Sequence, residues 1–251
     1  MKLERVIINA DDLGLSETVN DAIFDLMAQG RVTSATMMAN GPAFRHAASM
    51  IHHFPRCSFG AHLNLTEFAP LTPGADVAIL TGGDGVMLRG LGSEGFGPKL
   101  LSAAYRELCA QIELLGAAGI EISHLDSHHH VHTKPQLLPV IKTLQRRFQI
   151  RKVRISKNIY TREQPVSPVL AIKKRAYNWA LRNCYATRTT DGFAELLSYR
   201  TISGRDARFH GSVELMVHPG AAYAAAEVAV LKSDWLAESG LDTRLISYRE
   251  L

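Results

Sequence analysis

Short apolar runs alternate with longer stretches of helical periodicity along the whole chain. Residues 6–12 read as a buried strand, and Ser16 follows as the N-cap of a helix that runs through Met27 and closes near Gly30. A second strand is predicted over 32–38, a helix over 42–53 and a third strand over 58–65. Pro98 opens a long helix to Leu115, 120–126 reads as a fourth strand, Pro135 starts a helix through Arg147, and 152–155 reads as a fifth strand. A helix over 170–184, a strong strand over 212–217, a helix over 221–236 and an apolar run at Leu245 complete the pattern. Such alternation predicts an α/β fold with a parallel sheet, and the 251 residues match the ~250 typical of a closed (β/α) barrel, here a distorted TIM-like one. An open doubly wound sheet is the alternative.

Two segments break the rhythm. Residues 66–97 form a Pro- and Gly-rich loop too long for an ordinary connection. Within it Gly90, Gly92 and Gly95 spell G-x-G-x-x-G, but no convincing strand leads into them, so a dinucleotide site is not expected. The second break, about 158–201, reads as an insertion carrying a basic helix. Nothing resembles a linker, so residues 1–251 are expected to form a single domain.

Composition sharpens the picture. With 46% hydrophobic residues the chain can bury a full core, which excludes disorder. No apolar run approaches the ~18–20 residues that span a bilayer, so neither a signal peptide nor a membrane span is expected. Cys57, Cys109 and Cys184 are odd in number and widely spaced, arguing against disulfides or a thiolate metal site and for a reducing cytoplasm. The net charge of +4 is uneven: residues 142–175 hold eleven Lys or Arg against Glu163 alone, a +10 segment that leaves −6 for the rest. It reads as a solvated face or as a patch for an anionic partner. Nucleic acid is not expected, because only Phe148 and Tyr160 interleave the cations before Lys173. Around residues 168–185, basic residues with Tyr177 and Trp179 could instead lay a helix on an anionic membrane surface near a lipid-linked sugar, or pack it on the barrel or a dimer mate.

Four predicted strands end in chemistry-bearing residues. Asn9-Ala10-Asp11-Asp12-Leu13-Gly14 ends the first, with adjacent carboxylates that point to opposite faces unless the strand turns. His62 lies on one face with Gly60 and Asn64 at the end of the third. Residues 124–132, HLDSHHHVH, hold five of the eleven histidines, and His124, Asp126 and His128 share a face if the strand persists. Crowded imidazoles repel when protonated and strand ring nitrogens when buried neutral, whereas a divalent cation uses the neutral lone pair. Asp126 is placed to orient a neighbouring ring. Glu214-Leu215-Met216-Val217-His218-Pro219-Gly220 ends the last on a histidine. A barrel gathers strand ends around one pocket, so one Asp and two His with an open position predict a hydrolytic metal site. There Asp11 would take a proton from water and His218 would protonate a departing amine.

The same motifs, with SATMMAN at 34–40, AHLNLT at 61–66 and SYREL at 247–251, resemble the YdjC-like (ChbG-type) carbohydrate deacetylases over essentially the whole chain. The resemblance implies a distorted (β/α) barrel and metal-dependent removal of acetyl groups from N-acetylated mono- or oligosaccharides, with Mg²⁺ or Zn²⁺ as cofactor. It implies Asp12, His62 and His128 as metal ligands and Asp11 as catalytic base. His129 stands where many members carry Gln, and Leu13 where Phe is frequent. A phosphoester hydrolase using the same metal and a non-enzymatic His-rich metal-binding protein are the competing readings. A homodimer is compatible with all three.

Overall fold

The computed structural model describes residues 5–75, 77–91, 95–161, 164–202, 211–238 and 243–251. Seven strands form one sheet in which every pairing is parallel. β1 (Arg5–Leu13) lies at its centre. One edge of β1 pairs from Arg5 to Ala10 with β6 (Ser212–Val217). The other is shared between β2 (Ser34–Met37) near the end of β1 and the two-residue β7 (Arg244–Leu245) at its start. β3 (Ser58–Leu63) and β4 (Ile122–Ser127) extend the sheet beyond β2, and β5 (Gly192–Glu195) extends it beyond β6.

The outer strands β4 and β5 curl toward each other without a regular ladder between them. Residues 152–155, expected as a strand, make only two isolated parallel bridges, Leu125 with Val153 and Lys152 with Arg188. Asn158 then carries the connection to β5, its side-chain oxygen accepting from the Phe193 N–H at 2.9 Å. The sheet is therefore a curled half-barrel whose open side is spanned by residues 152–158. Residues 192–202, read from sequence as part of an insertion, instead supply β5 and the helix α6 (Leu196–Ile202), so this stretch belongs to the sheet.

Period-2 alternation divides each strand's residues between two environments. Val6, Ile8, Ala35, Phe59, Leu125, Val213 and Leu215 face outward into the principal core, with Ile23 and Phe24 of α1 (Glu17–Ala28) and Ala104 and Leu108 of α3 (Pro98–Ala117). Ser16 caps α1 by accepting from the Val19 N–H, and Pro98 occupies the first turn of α3, as the sequence signals indicate. The expected 42–53 helix is shorter, α2 (Phe44–Met50) running into a 3₁₀ turn. The expected 221–236 helix divides at Ser233 into α7 (Ala225–Lys232) and α8 (Trp235–Glu238). Before them in the chain lie α4 (Leu138–Phe148) and α5 (Pro168–Asn183).

The inward positions are polar: Asn9, Asp11, Thr36, His62, Asp126, Arg154 and Glu214 are all buried. An ordinary barrel fills this space with branched aliphatics. Here the floor is built from the 3₁₀ turn Tyr248–Glu250, whose Tyr248 forms a small separate cluster with Ile7 and Ile246. The Tyr248 ring stacks on His124 with centroids 3.5 Å apart, its N–H donates to Ser58 Oγ at 3.0 Å and its hydroxyl donates to Glu214. Gly60 makes room for this arrangement, since a Cβ there would lie 2.5 Å from the His124 ring.

The basic segment does not form one surface. Arg154 and Lys142 are buried, Lys152 donates to the Tyr248 and Arg249 carbonyls, and Lys157 and Arg147 pair with Glu195 and Glu113. In the 66–97 loop, Gly90 and Gly95 follow, among the described residues, only a single bridge, Thr81 with Met87, and Gly92 lies outside the described residues. Among the described residues no helix is long and apolar enough to cross a membrane.

Candidate metal centre

At the end of β1 the alternation is broken by Asp12, whose φ of 66° puts it in the left-handed region. The pairing register with β2 slips between Ala10 and Leu13 at the same place. An aspartate tolerates this conformation at a cost of about 1 kcal/mol. The consequence is that both carboxylates reach the polar interior, although adjacent strand residues should diverge. Asp11 meets Arg154, while Asp12 Oδ1 lies 3.1 Å from His62 Nε2 and 2.8 Å from His128 Nδ1.

His128 reaches Asp12 because β4 ends at Ser127 and the next turn contains two left-handed residues, His129 (φ 49°) and His130 (φ 53°). The five clustered histidines consequently separate. His124 lies in the floor and His132 is locked between Ser127 and the Arg154 carbonyl, 3.2 Å from its Nε2. Burial, with Arg154 among the nearby positive groups, holds both well below the usual imidazole range. His129 Nδ1 meets Thr66 Oγ1 at 2.9 Å, and the His130 ring packs edge-on to Phe193.

Asp12, His62 and His128 thus bring one carboxylate oxygen and two imidazole nitrogens within 4.8 Å of one another. The far nitrogen of each ring lies on a second carboxylate: His62 Nδ1 is 2.8 Å from Asp126 Oδ1, and His128 Nε2 is 2.8 Å from Glu67 Oε2. Thr36 donates to the other Asp126 oxygen at 3.0 Å. A carboxylate behind each imidazole fixes ring orientation and raises donor strength, the arrangement typical of histidines that hold metals. Burial opposes a charge on His62, but Asp126, Asp12 and Asp11 outweigh it and raise its pKa to about 10. Burial likewise opposes the Asp12 charge, and hydrogen bonding to His128 and His62 overcomes it, keeping the carboxyl ionised far below its usual range.

Beneath this triad sits Arg154, fully buried over the Phe193 ring. Its guanidinium grips Asp11 with two bonds of 2.6 and 2.7 Å, lies 2.8 Å from Asp126, and donates from Nε to Glu214 at 2.8 Å. Burial raises the proton affinity of Asp11, yet the paired guanidinium prevails and holds it well below the usual carboxylate range. Three carboxylates, those of Asp11, Asp126 and Glu214, therefore converge on one permanent cation, while Asp12 lies against the two imidazoles. With Asp12 included, the carboxylates outnumber this cation, an excess that a divalent ion among Asp12, His62 and His128 would offset. The donor set fits such an ion.

His218 stands at the end of β6, beside β1, with its backbone N–H donating to Glu227 at 2.8 Å. Its positive form contributes to keeping Asp11 ionised. The exposed Tyr223 ring lies 5.9 Å away. The structure thus groups Asp11, Asp12, His62 and His128 and sets His218 on the neighbouring strand. It adds Arg154, Glu67, Glu214 and Thr36, to which the sequence reading gave no role. A charged residue inside Val153-Arg154-Ile155 and inside Val213-Glu214-Leu215 was the available signal for two of them.

The profile of the family described as YdjC-like protein matches residues 5–240. Among curated proteins, a carbohydrate deacetylase of Geobacillus stearothermophilus is 41% identical over 157 residues, 60% of each chain. Carbohydrate deacetylases of Brevibacillus brevis and Vibrio vulnificus are 39% and 40% identical, each match covering 58% of this chain and 57% of the relative. The matches thus span less than two thirds of those relatives. A solved structure from Enterococcus faecalis V583, of a protein provisionally assigned to cellobiose-phosphate cleavage, superposes with a TM-score of 0.78 at 25% identity, covering 99% of this chain and 98% of that one. With the family profile matched over nearly its whole length, the chain belongs to the YdjC-like protein family.

Proposed function

We propose that the protein is a metal-dependent hydrolase that removes the acetyl group from an N-acetylated mono- or oligosaccharide. The observation that carries this is the Asp12, His62 and His128 donor set above a buried excess of carboxylates. The relatives named carbohydrate deacetylase supply the substrate class. Asp12, His62 and His128 would hold the cation, and their two imidazole nitrogens suit Zn²⁺ better than Mg²⁺, which favours oxygen donors. When bound, such an ion polarises the acetamide carbonyl and lowers the pKa of the attacking water.

The remaining roles belong to side chains. Arg154 fixes the Asp11 carboxylate in one orientation and keeps it ionised, so Asp11 is a ready though weak base for the proton of the attacking water. His218 is the group that would deliver a proton to the departing sugar amine. Asp126 and Glu67 aim the two ligating rings. A phosphoester is a poorer fit, because Arg154 is already engaged by three carboxylates and has no free edge for a phosphate. The cysteines are free, with Cys57 and Cys109 buried, in keeping with work in a reducing cytoplasm.

The test is acetate release from N-acetylated mono- and oligosaccharides by chelated protein reloaded with Zn²⁺ or Mg²⁺. Turnover should vanish on chelation and return on reloading. Asp12→Asn and His62→Ala should lose metal and activity together, whereas Asp11→Asn should keep the metal and lose about 10²–10⁴ in kcat. Full turnover in excess chelator would overturn the proposal.

A further inference from the structure

We propose that α5 seats the protein on an anionic lipid surface and that the acetylated sugar it receives is carried on an amphiphile. The second part rests on the proposed function; the first does not.

One face of α5 is spent on the barrel. Tyr177, Asn178 and Leu181 are buried, the Tyr177 hydroxyl donating to the His132 carbonyl and the Asn178 amide bonding both the N–H and the carbonyl of Ser156. The opposite face carries Val169, Ile172 and Trp179, which are 64%, 66% and 67% exposed. At 100° per residue Ile172 and Trp179 lie in line and Val169 is close beside them. Single exposed apolar residues are ordinary, but three large ones aligned on one helix form a stripe that water does not favour.

The charge on the helix selects the occupant. Lys173 and Arg175 flank the stripe on its two sides, and neither has an ion-pair partner among the described residues, whereas Lys174 is engaged by the Tyr160 hydroxyl at 2.8 Å. No Asp or Glu occurs anywhere in Pro168–Asn183. A second copy docked through the same face would bring two cationic, acid-free helices together with nothing to neutralise them. An anionic bilayer supplies apolar depth for Ile172 and Trp179 and negative headgroups for their cationic neighbours, the pattern of an interfacial helix.

The placement of α5 gives the docking a purpose. Lys174 and Asn178 bond Tyr160 and Ser156 in the segment after Arg154, and Tyr177 bonds the His132 carbonyl in the turn that begins with His128. Asp12 meets that turn at His128. A surface under α5 would therefore lie on the side of the barrel that carries the His128 turn, the side from which a sugar borne on a lipid would approach.

The full chain is sedimented with vesicles of phosphatidylcholine alone or with added phosphatidylglycerol. It should pellet with the anionic vesicles and be released by salt. Lys173→Gln with Arg175→Gln should weaken partitioning about 25-fold, about fivefold for each charge. Ile172→Asp, at an exposed position that leaves folding intact, should abolish it. Exposed Trp179 reports the contact by a blue shift of emission that buried Trp235 cannot give, so Trp179→Phe should erase the shift while pelleting persists. Absence of pelleting at low salt overturns the docking, as does pelleting unchanged in Ile172→Asp. A concentration-dependent dimer in sedimentation velocity, dispersed by Ile172→Asp, would assign the face to a second copy and also overturn it. Ile172→Asp should leave acetate release from a soluble N-acetyl sugar unchanged and lower it at least about tenfold for a vesicle-borne one. Equal loss on both would overturn the substrate inference. Vesicle binding by a protein that deacetylates neither would sink the proposed function and leave the docking standing.

Discussion

Replacing Arg154 with methionine isolates the electrostatic logic of the barrel interior. Methionine keeps most of the volume, so packing over Phe193 is largely retained and the change removes charge and donors. The guanidinium serves Asp11, Asp126 and Glu214, all essentially inaccessible to water. Removing one partner of a buried ion pair costs about 3–5 kcal/mol, because the orphaned charge is left desolvated. With three carboxylates orphaned together, the cost should lie at or above the upper end of that range, against a total stability of about 5–15 kcal/mol. Urea unfolding of chelator-treated wild-type and Arg154→Met protein measures it without a contribution from bound metal. Heating should show a midpoint lower by roughly 10–20 °C, at about 2–4 °C per kcal/mol for a chain of this size. If the loss arises from stranded charge, Asp11→Asn and Glu214→Gln in the Arg154→Met background should recover more than half of it, a strongly non-additive result. Arg154→Lys should fall between, keeping the charge without the two-pronged grip. A cost below about 1 kcal/mol for Arg154→Met, or a triple variant no more stable than the single one, would refute the reasoning.

Other consequences are equally direct. Glu67→Gln weakens the partner behind His128 while leaving Asp12, His62 and His128 in place, so Zn²⁺ affinity measured calorimetrically should drop about 10–100-fold with little change in thermal stability. Gly60→Ala drives a methyl into the His124 ring in a site closed by Tyr248, and should destabilise by about 1–3 kcal/mol in urea titrations; a neutral result would mean the floor can yield. Burial pushes the Lys142 ammonium down to about 8 from its ordinary 10.5. The unfolded chain then holds this proton to higher pH than the folded one, so stability should rise between about pH 8 and 10.5. The rise should be missing in Lys142→Met, and an equal rise in both proteins would contradict it.

Much of this organisation is legible in the sequence because its two signals are separable. Outward positions of β1, β3 and β6 are continuously apolar, while inward ones carry Asn, Asp, His and Glu, so strand and site appear in the same few letters. β5 escapes because it has four residues with one large apolar side chain, Phe193, and takes its order from Asn158, which is distant in sequence. Residues 152–155 have the pattern of a strand, yet their neighbours at Leu125 and Arg188 allow only single bridges. The shared destination of Asp11 and Asp12 is hidden for a different reason, since alternation places them apart and only the left-handed backbone at Asp12 reunites them. Arg154 is lost in the count of surface charge. Nothing local says that this one cation, unlike Arg147 or Lys157, turns inward.

The Tyr248 floor also bears on how the molecule is made. Residues 246–248 follow all seven strands in the chain, yet they seal the base of the polar interior and supply the hydroxyl on Glu214. Until they are made, Glu214 lacks its Tyr248 partner and the base of the interior lacks its floor. The hydrogen bonding around Glu214 is therefore completed only after every strand of the sheet has been made, so the last piece of wall arrives behind the site it closes.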